Sequence, residues 1–351
     1  MLFDRKIIDS HIHLYDGSDE RALAMMDELS SAGIQGVAIQ SLACSPKYGP
    51  AQNLLTLRWK RDYTKMKVYA FGALHELDMY GSVPYDVQVE QLLNMGCDGI
   101  KFLQMKPDLR KLVGKGVCHP DYDRALSVLE ERGTPVTIHV ADPDTFWDIT
   151  KMSEAQIARG WFYGDGSYMP YEAYYDESYA MLDKHPNLRV TFAHFFFLDK
   201  RIDEARRVME KYPNVCFDLT PHPVMYMSFT ENLDAWRDFM IEYSDRIIYG
   251  TDTDDARETN LRIHKTVYSA VTGDRTPHPM PAYYYDYMMR GLDLPSDVIE
   301  KILHRNFERL VGEGNPLNNE LICRAAERVL FDAEKTQDEV RAINGIKPLL
   351  R

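Results

Sequence analysis

Residues 7–42 decide the fold and read IIDSHIHLYDGSDERALAMMDELSSAGIQGVAIQSL. An apolar run at residues 7–14 is followed by an amphipathic segment that ends at Gly33, and a second apolar run begins at residue 36. Glycine is a common helix stop, so the stretch predicts a strand, a helix and a second strand. Near-continuous apolar strands joined by a helix are typical of a parallel sheet that helices cover.

The same alternation continues along most of the chain. Strand-like runs lie at residues 7–14, 36–42, 68–74, 97–103, 135–141, 188–195, 215–220 and 246–252. Eight such strands, each followed by a helix, predict an α/β fold of the (β/α)8 TIM-barrel type. A doubly wound open sheet is the main alternative, but no GxGxxG turn follows the first strand.

Two segments exceed a minimal barrel. The connection after the fifth strand, residues 142–187, is too long for one helix, and its insertion at about residues 142–170 is rich in aromatic residues and glycine. This insertion is either a lid or substrate wall, or a packed surface subdomain. The periodicity of residues 294–312 predicts an amphipathic helix. We therefore expect a barrel domain over residues 1–312 and a C-terminal helical extension over residues 313–351.

Composition narrows the class of protein. Hydrophobic residues make up 45% and charged residues 27% of the 351 residues, as in a globular protein with a full core. The formal net charge of −13 argues against nucleic acid or an anionic membrane as the main partner. The chain has no apolar run long enough to span a membrane, and its start resembles neither a signal nor a transit peptide. Five scattered cysteines without CxxC spacing favour a reducing cytoplasm.

Polar side chains interrupt the apolar runs near the predicted carboxyl ends of the strands. Residues i and i+2 of a strand point the same way, so His11 and His13 project together, about 7 Å apart. The others are Lys101, His139, His194 and Asp252. Each alone has an ordinary interpretation, as a hydrogen-bonded core residue, a helix cap or an ion-pair partner. Together they meet at the rim where barrel enzymes carry their active sites. His222 also follows a strand, but a loop histidine without a role is the simpler interpretation.

The segments DSHIHL, GIKF, IHVAD, FAH, YGTD and ILHRNFERLVG resemble the amidohydrolase superfamily, and within it the amidohydrolase-related branch. The resemblance covers roughly residues 5–312. It implies one divalent metal ion, zinc or alternatively manganese, held by His11, His13, His139 and Asp252. It further implies that His194 polarises a carbonyl group and that Asp252 moves a proton between water and the leaving group.

The same resemblance leaves the reaction open between two chemistries. The branch contains hydrolases of small amides, esters and lactones, and non-oxidative decarboxylases of aromatic or muconate-like acids. We expect a metal-dependent hydrolase of a small molecule, with the decarboxylase, a lyase, as the alternative. A barrel that only binds a ligand is a third interpretation, although a binder has no chemical need for this set of residues. The resemblance also makes a homodimer an option.

Four further residues have weaker predicted roles. In two-metal members of the superfamily a lysine at the position of Lys101 is carbamylated and bridges both ions. We expect instead an uncarbamylated Lys101 beside a single metal. Lys106 follows the fourth strand and could hold a substrate carboxylate, although a solvated surface position also explains it. Trp161 and Tyr163, in the long insertion, could stack on a planar substrate.

Overall fold

The computed structural model describes residues 2–15, 18–76, 83–222, 224–282, 286–331 and 337–350, and the structural statements below concern these residues. Among them, no helix is long and apolar enough to cross a membrane.

A closed barrel of parallel strands forms the centre of the molecule and confirms the predicted (β/α)8 fold. The strands follow one another around the barrel in chain order, and every neighbouring pair is parallel. They are β1 (Ile8–His13), β2 (Gly36–Gln40), β3 (Lys67–Ala73), β4 (Gly99–Met105), β5 (Val136–Val140), β6 (Val190–Phe192), β7 (Val215–Asp218), β8 (Ile247–Ile248) and β9 (Thr253–Asp254).

The eighth position of the barrel is divided between two short strands. β8 pairs with β7, whereas β9 pairs with β1, so the two pieces together close the circle. Between them, the Ser10 N–H donates to the Tyr249 carbonyl (3.0 Å) and the Asp252 N–H donates to the His11 carbonyl (2.8 Å). This break in the strand turns Asp252 toward the rim.

Helices surround the barrel. In chain order they are α1 (Asp19–Ala32), α2 (Ala51–Asp62), α3 (Tyr85–Met95), α4 (Pro107–Val113), α5 (Pro120–Glu131), α6 (Glu154–Ala158), α7 (Tyr171–Lys184), α8 (Ile202–Lys211), α9 (Met225–Glu231), α10 (Leu233–Glu242), α11 (Asn260–Thr272), α12 (Ser296–Glu300), α13 (Asn306–Val311), α14 (Asn319–Leu330) and α15 (Gln337–Ile346). A small antiparallel pair, β10 (His278–Pro279) and β11 (Met288–Met289), lies after α11.

Local sequence explains where α1 begins and ends. The Ser18 side chain accepts from the Arg21 N–H at its start, and Gly33 ends it in a left-handed conformation with φ 109°. The Gly33 N–H then donates to the carbonyls of the last helical turn. These are favoured residue types for an N-cap and for the position after a helix, so both the start of α1 and its predicted end at Gly33 follow from local chemistry.

The predicted helix at residues 294–312 contains a π-helical segment, Lys301–Arg305, between α12 and α13. There the Ile302 carbonyl accepts from the Tyr249 N–H (3.0 Å), which ties this helix to the divided eighth strand. The insertion after β5 holds 3-10 turns and the short helix α6. Beyond residue 312, α14 and α15 pack against α2. The division into a domain and an extension at residue 312 stays a prediction.

Candidate active site

The carboxyl ends of the strands surround one large cavity of about 770 Å³. β1, β4 and β5 each direct at least one of the sequence-predicted side chains into it, and the segments after β6 and β8 add the others. The predicted residues on its wall are His11, His13, Lys101, Lys106, His139, Trp161, His194 and Asp252. The structure therefore brings together every predicted site residue except Tyr163.

Three of the four predicted metal ligands form a compact group. His11, His13 and Asp252 each offer one ligand atom, and these atoms all lie within 4.8 Å of one another. The Asp252 Oδ1 atom is 3.0 Å from His13 Nε2 and 3.8 Å from His11 Nε2. Two imidazole nitrogens and a carboxylate oxygen are a donor set that divalent transition metals accept.

The outer ring nitrogens of both histidines are already held by the protein. His11 Nδ1 lies 2.9 Å from Asp218 Oδ2, and His13 Nδ1 donates to the Gln40 carbonyl at 2.7 Å. These contacts orient both rings with Nε2 toward Asp252, which is the arrangement that ligating histidines need. Burial keeps the pKa of His11 well below its ordinary value, so its imidazole is neutral. The residues present therefore fit a divalent ion.

His139, the fourth predicted ligand, is engaged differently. Its Nε2–H donates to the Ala141 carbonyl (2.9 Å), so its bare nitrogen is Nδ1, which accepts from His194 Nε2 at 3.1 Å. His139 lines the cavity but is not a member of the three-residue group. To ligate through Nδ1, it would have to release the hydrogen bond from His194. Its role as a ligand stays a prediction.

Lys101 lies directly beside the ligand group. Its side chain is buried, and its Nζ is 2.9 Å from His11 Nε2. Burial lowers the pKa of this amine to about 8. The lysine is thus close enough to lie beside a metal ion held by His11. That the site holds one metal ion rather than two stays a prediction.

The backbone at the rim is strained where it presents these side chains. Ala141, His194 and Asp252 have φ values of 59°, 56° and 54°, and Phe195 to Phe197 continue the left-handed turn that begins at His194. Each such residue costs about 1–2 kcal/mol when it is not glycine. Within the described chain, Asp293 is the only other non-glycine residue with positive φ. Strain of this kind tends to collect at functional sites.

Sequence reasoning missed Asp218, the last residue of β7. Its Oδ1 accepts from the His194 N–H (2.8 Å) and the Thr220 N–H (3.1 Å), while Oδ2 contacts His11. The aspartate thereby holds His11 and the strained His194 turn in one arrangement. An acidic residue that ends the apolar run VCFD was the signal for it.

Asp9, inside β1, was also missed. It is fully buried, and its Oδ1 accepts from the backbone N–H groups of His11 (3.0 Å) and Thr251 (3.2 Å). Burial raises the pKa of this carboxyl to about 7. Asp9 thus joins the histidine strand to the eighth strand beneath the site.

The three predicted substrate-binding residues have different surroundings. Lys106 forms an ion pair with Asp142 (2.8 Å), so its charge is balanced within the protein. Trp161 lines the cavity and stacks on Phe146, with ring centroids 5.6 Å apart. Tyr163 is buried behind that wall, where its hydroxyl donates to Asp142 Oδ2 (2.8 Å). The Tyr163 ring packs among neighbouring aromatic side chains and does not line the cavity. Tyr163 therefore holds Asp142 in place.

Comparison with known structures gives the same fold at low sequence identity. A putative amidohydrolase from Staphylococcus aureus is 14% identical, with 88% of this chain and 100% of that chain covered and a TM-score of 0.54. 2,6-Dihydroxybenzoate decarboxylase from Rhizobium is 14% identical, with 88% of this chain and 98% of that chain covered and a TM-score of 0.50. 4-Oxalomesaconate hydratase from Rhodopseudomonas palustris is 12% identical, with 92% of this chain and 98% of that chain covered and a TM-score of 0.52. Relatives this distant show the fold alone.

Family membership rests on a broader match. No curated protein matches the chain. The family model described as Amidohydrolase matches residues 8–312, which include every predicted metal ligand. Members of this family generally bind a divalent metal ion, and the group of His11, His13 and Asp252 is a candidate site for one. The chain belongs to the amidohydrolase family and is an enzyme of that superfamily.

Proposed function

We propose that the protein is a metal-dependent hydrolase in which water attacks the carbonyl group of a small amide, ester or lactone. The observation that carries the proposal is the position of Asp252. Its carboxylate contacts the Nε2 atoms of both β1 histidines and also lines the cavity. A single carboxylate in that position can both help to hold an ion and accept a proton from water.

His11, His13 and Asp252 would hold the metal ion, with His139 as the fourth ligand after it releases His194. Zinc suits this set of nitrogen and oxygen donors best. A bound ion of this kind acts as a Lewis acid that lowers the pKa of water to about 7 and polarises a carbonyl oxygen. Lys101 would stay an uncarbamylated neighbour of a single ion.

Asp252 is suited to accept the proton of the attacking water. Burial by itself raises the pKa of this carboxyl, but the hydrogen bond from His13 and the other site histidines beside it bring the pKa well below its ordinary value. The group is therefore an anion at neutral pH. It faces the cavity, so it can pass the proton on to a leaving group.

His194 is suited to stabilise negative charge on the substrate. Burial holds the pKa of its imidazole well below the ordinary value, so the ring is neutral. Its Nε2–H, which donates to His139 Nδ1 in this structure, can turn to an oxygen atom of the substrate. The strained turn after β6 and the Asp218 contact to the His194 N–H hold the backbone of His194 in place at the cavity wall.

The test is a panel of amides, esters and lactones, assayed on zinc-loaded protein, with metal content and CO₂ release measured in parallel. Asp252→Asn keeps an oxygen ligand but removes the base, so turnover should fall by about 10² to 10⁴ while metal remains. Asp293→Asn is the matched control, because Asp293 is the other left-handed aspartate and lies outside the cavity. Full turnover in Asp252→Asn would contradict the proposal.

Decarboxylation is the second candidate, favoured by the charges of the cavity wall. Arg159 lines the cavity together with the aromatic rings of Phe146 and Trp161, whereas Lys106 and Arg257 also line it but form ion pairs with Asp142 and Asp254. This combination suits a planar carboxylic acid. One molecule of CO₂ released per substrate molecule, with all amides, esters and lactones inert, would make the protein a lyase.

A further inference from the structure

A second polar pair stands at the rim, apart from the candidate ligands. His222 follows β7, and Asp199 follows the neighbouring strand β6. Both are buried, with 6% and 3% of their surfaces exposed, and His222 Nε2 lies 2.8 Å from Asp199 Oδ1. Burial alone raises the pKa of Asp199, but its contact with His222 brings the value below the ordinary one. The carboxylate accepts, so Nε2 carries the hydrogen, and in the tautomer that this contact favours Nδ1 is an acceptor.

The other nitrogen of this histidine has no hydrogen-bond partner among the residues that the structure describes. His222 Nδ1 is buried, and no donor within the described residues reaches it. A buried acceptor left unpaired destabilises a fold, so this nitrogen calls for a donor from outside the protein chain. The His222 ring cannot turn Nδ1 to another position without losing the hydrogen bond between Nε2 and Asp199.

His222 lines the same cavity as the candidate ligands, but at a distance from them. The Phe197 ring contacts both imidazoles, with its centroid 5.1 Å from that of His194 and 5.0 Å from that of His222. His222 also lines a smaller side cavity of about 230 Å³ that shares Pro143 and Phe197 with the main one. A molecule with its reacting carbonyl beside Asp252 would therefore meet His222 with its far end.

We propose that His222, oriented by Asp199, binds the far end of the substrate through Nδ1, and that this end carries an uncharged hydrogen-bond donor such as a hydroxyl group. An anion is disfavoured because the Asp199 carboxylate lies directly behind the ring. On the side of the main cavity the neighbouring wall residues Pro143, Phe197 and Pro221 are apolar, whereas the side cavity also holds the charged residues Asp144, Glu172, Lys200 and Arg201. The inference rests on the proposed function only in identifying the bound molecule as the substrate.

Small probes test the site without turnover, so failure of the proposed hydrolysis leaves this test intact. Phenol, anisole and benzoate are titrated into zinc-loaded protein and followed by ligand-observed NMR. Phenol donates a hydrogen bond, anisole only accepts one and benzoate is an anion. We expect phenol to bind about tenfold more tightly than anisole, the factor that one added hydrogen bond provides. In protein labelled with ¹⁵N-histidine, the His222 Nδ1 resonance, assigned through its own backbone, should move with phenol only.

Two variants separate the two nitrogens. In His222→Gln the amide can still donate to Asp199 while nothing stands at the position of Nδ1, so the preference for phenol over anisole should disappear. His222→Asn places an amide oxygen near the position of Nδ1 and should restore part of the preference. His119→Gln, at an exposed histidine before α5, is the control and should bind all three probes as the wild type does.

Several results would overturn the proposal. They are equal binding of phenol and anisole to the wild type, a phenol preference that survives in His222→Gln, or tightest binding of benzoate. The wild-type ¹⁵N spectrum requires no substitution, so an unmoved Nδ1 resonance at saturating phenol refutes the site even if a variant does not fold.

Discussion

Left-handed backbone, with positive φ, occurs at different types of residue at the two ends of the barrel. At the base, where helices lead into strands, positive φ falls on glycines such as Gly33 and Gly96 at the ends of α1 and α3. At the rim, glycines such as Gly49 also have positive φ, but so do Ala141, His194 and Asp252, which have side chains and therefore cost more in this conformation. The base follows local rules of stability, whereas the rim departs from them where chemistry requires particular side chains.

Buried acids show the same contrast. Asp98, just before β4, accepts from Lys60 Nζ (2.7 Å) and from the backbone N–H groups of Ala70 (2.8 Å) and Asn315 (2.6 Å). These partners have no role in the cavity. Asp218, at the end of β7, contacts the site histidines instead. A buried charge at the base thus joins structural elements, and one at the rim orients a reactive group.

The largest expected effect is at the rim. His11→Ala removes one of the three clustered ligands, so metal content and activity should be lost together. The substitution also removes the buried partner of Asp218 and Lys101, so the melting temperature of the metal-free variant should fall below that of the metal-free wild type while the barrel still folds. Metal analysis and calorimetry measure both. Full metal occupancy in His11→Ala would remove this residue from the ligand set and weaken the contrast between the two ends.

A change at the base should have the opposite profile. Asp98→Ala leaves the nearly buried Lys60 ammonium without its partner, so the free energy of unfolding should fall by about 3–5 kcal/mol. Activity per folded molecule should not change. Denaturant unfolding measures the loss, and Glu313→Ala serves as control because its pair with Lys67 is exposed and screened by solvent. Equal losses in both variants would show that burial of the charge is not the cause.

The smallest expected effect concerns His75, which lies near the rim but does not belong to the candidate site. His75 follows β3 but does not line the cavity, and burial, with a smaller effect of Arg328, lowers the pKa of its imidazole to about 4. Between this value and the ordinary 6.5, the unfolded chain binds a proton that the folded protein does not. Stability should therefore be complete above pH 6.5 and fall by about 1–3 kcal/mol as the pH drops toward 4.

His75→Gln removes this titration, so its unfolding free energy should depend less on pH between 6.5 and 4 than that of the wild type. Urea titrations at several pH values measure the difference, and the pH profile of activity should be unchanged. The same slope in both proteins would assign the acid sensitivity to other groups.

The approximate positions of the strands were accessible to sequence reasoning because local patterns specify them. The apolar run around β1, the glycine after α1 and the polar residues at strand ends are properties of neighbouring residues, and they predicted both the barrel and the rim. The family segments extended this to a ligand set. Of that set, the tertiary structure groups His11, His13 and Asp252 and leaves His139 bound to His194.

What the sequence determined by itself is the kind of fold and the identity of the side chains at the rim, because strand and helix periods depend on adjacent residues. Only the tertiary structure decided which atoms meet. Asp218 lies 207 residues from His11, and Asp199 lies 23 residues from His222, so no local pattern links either pair. The left-handed turn at His194 could not be predicted either, because it opposes the conformational preference of its residues and persists only where the contacts around it compensate for the strain.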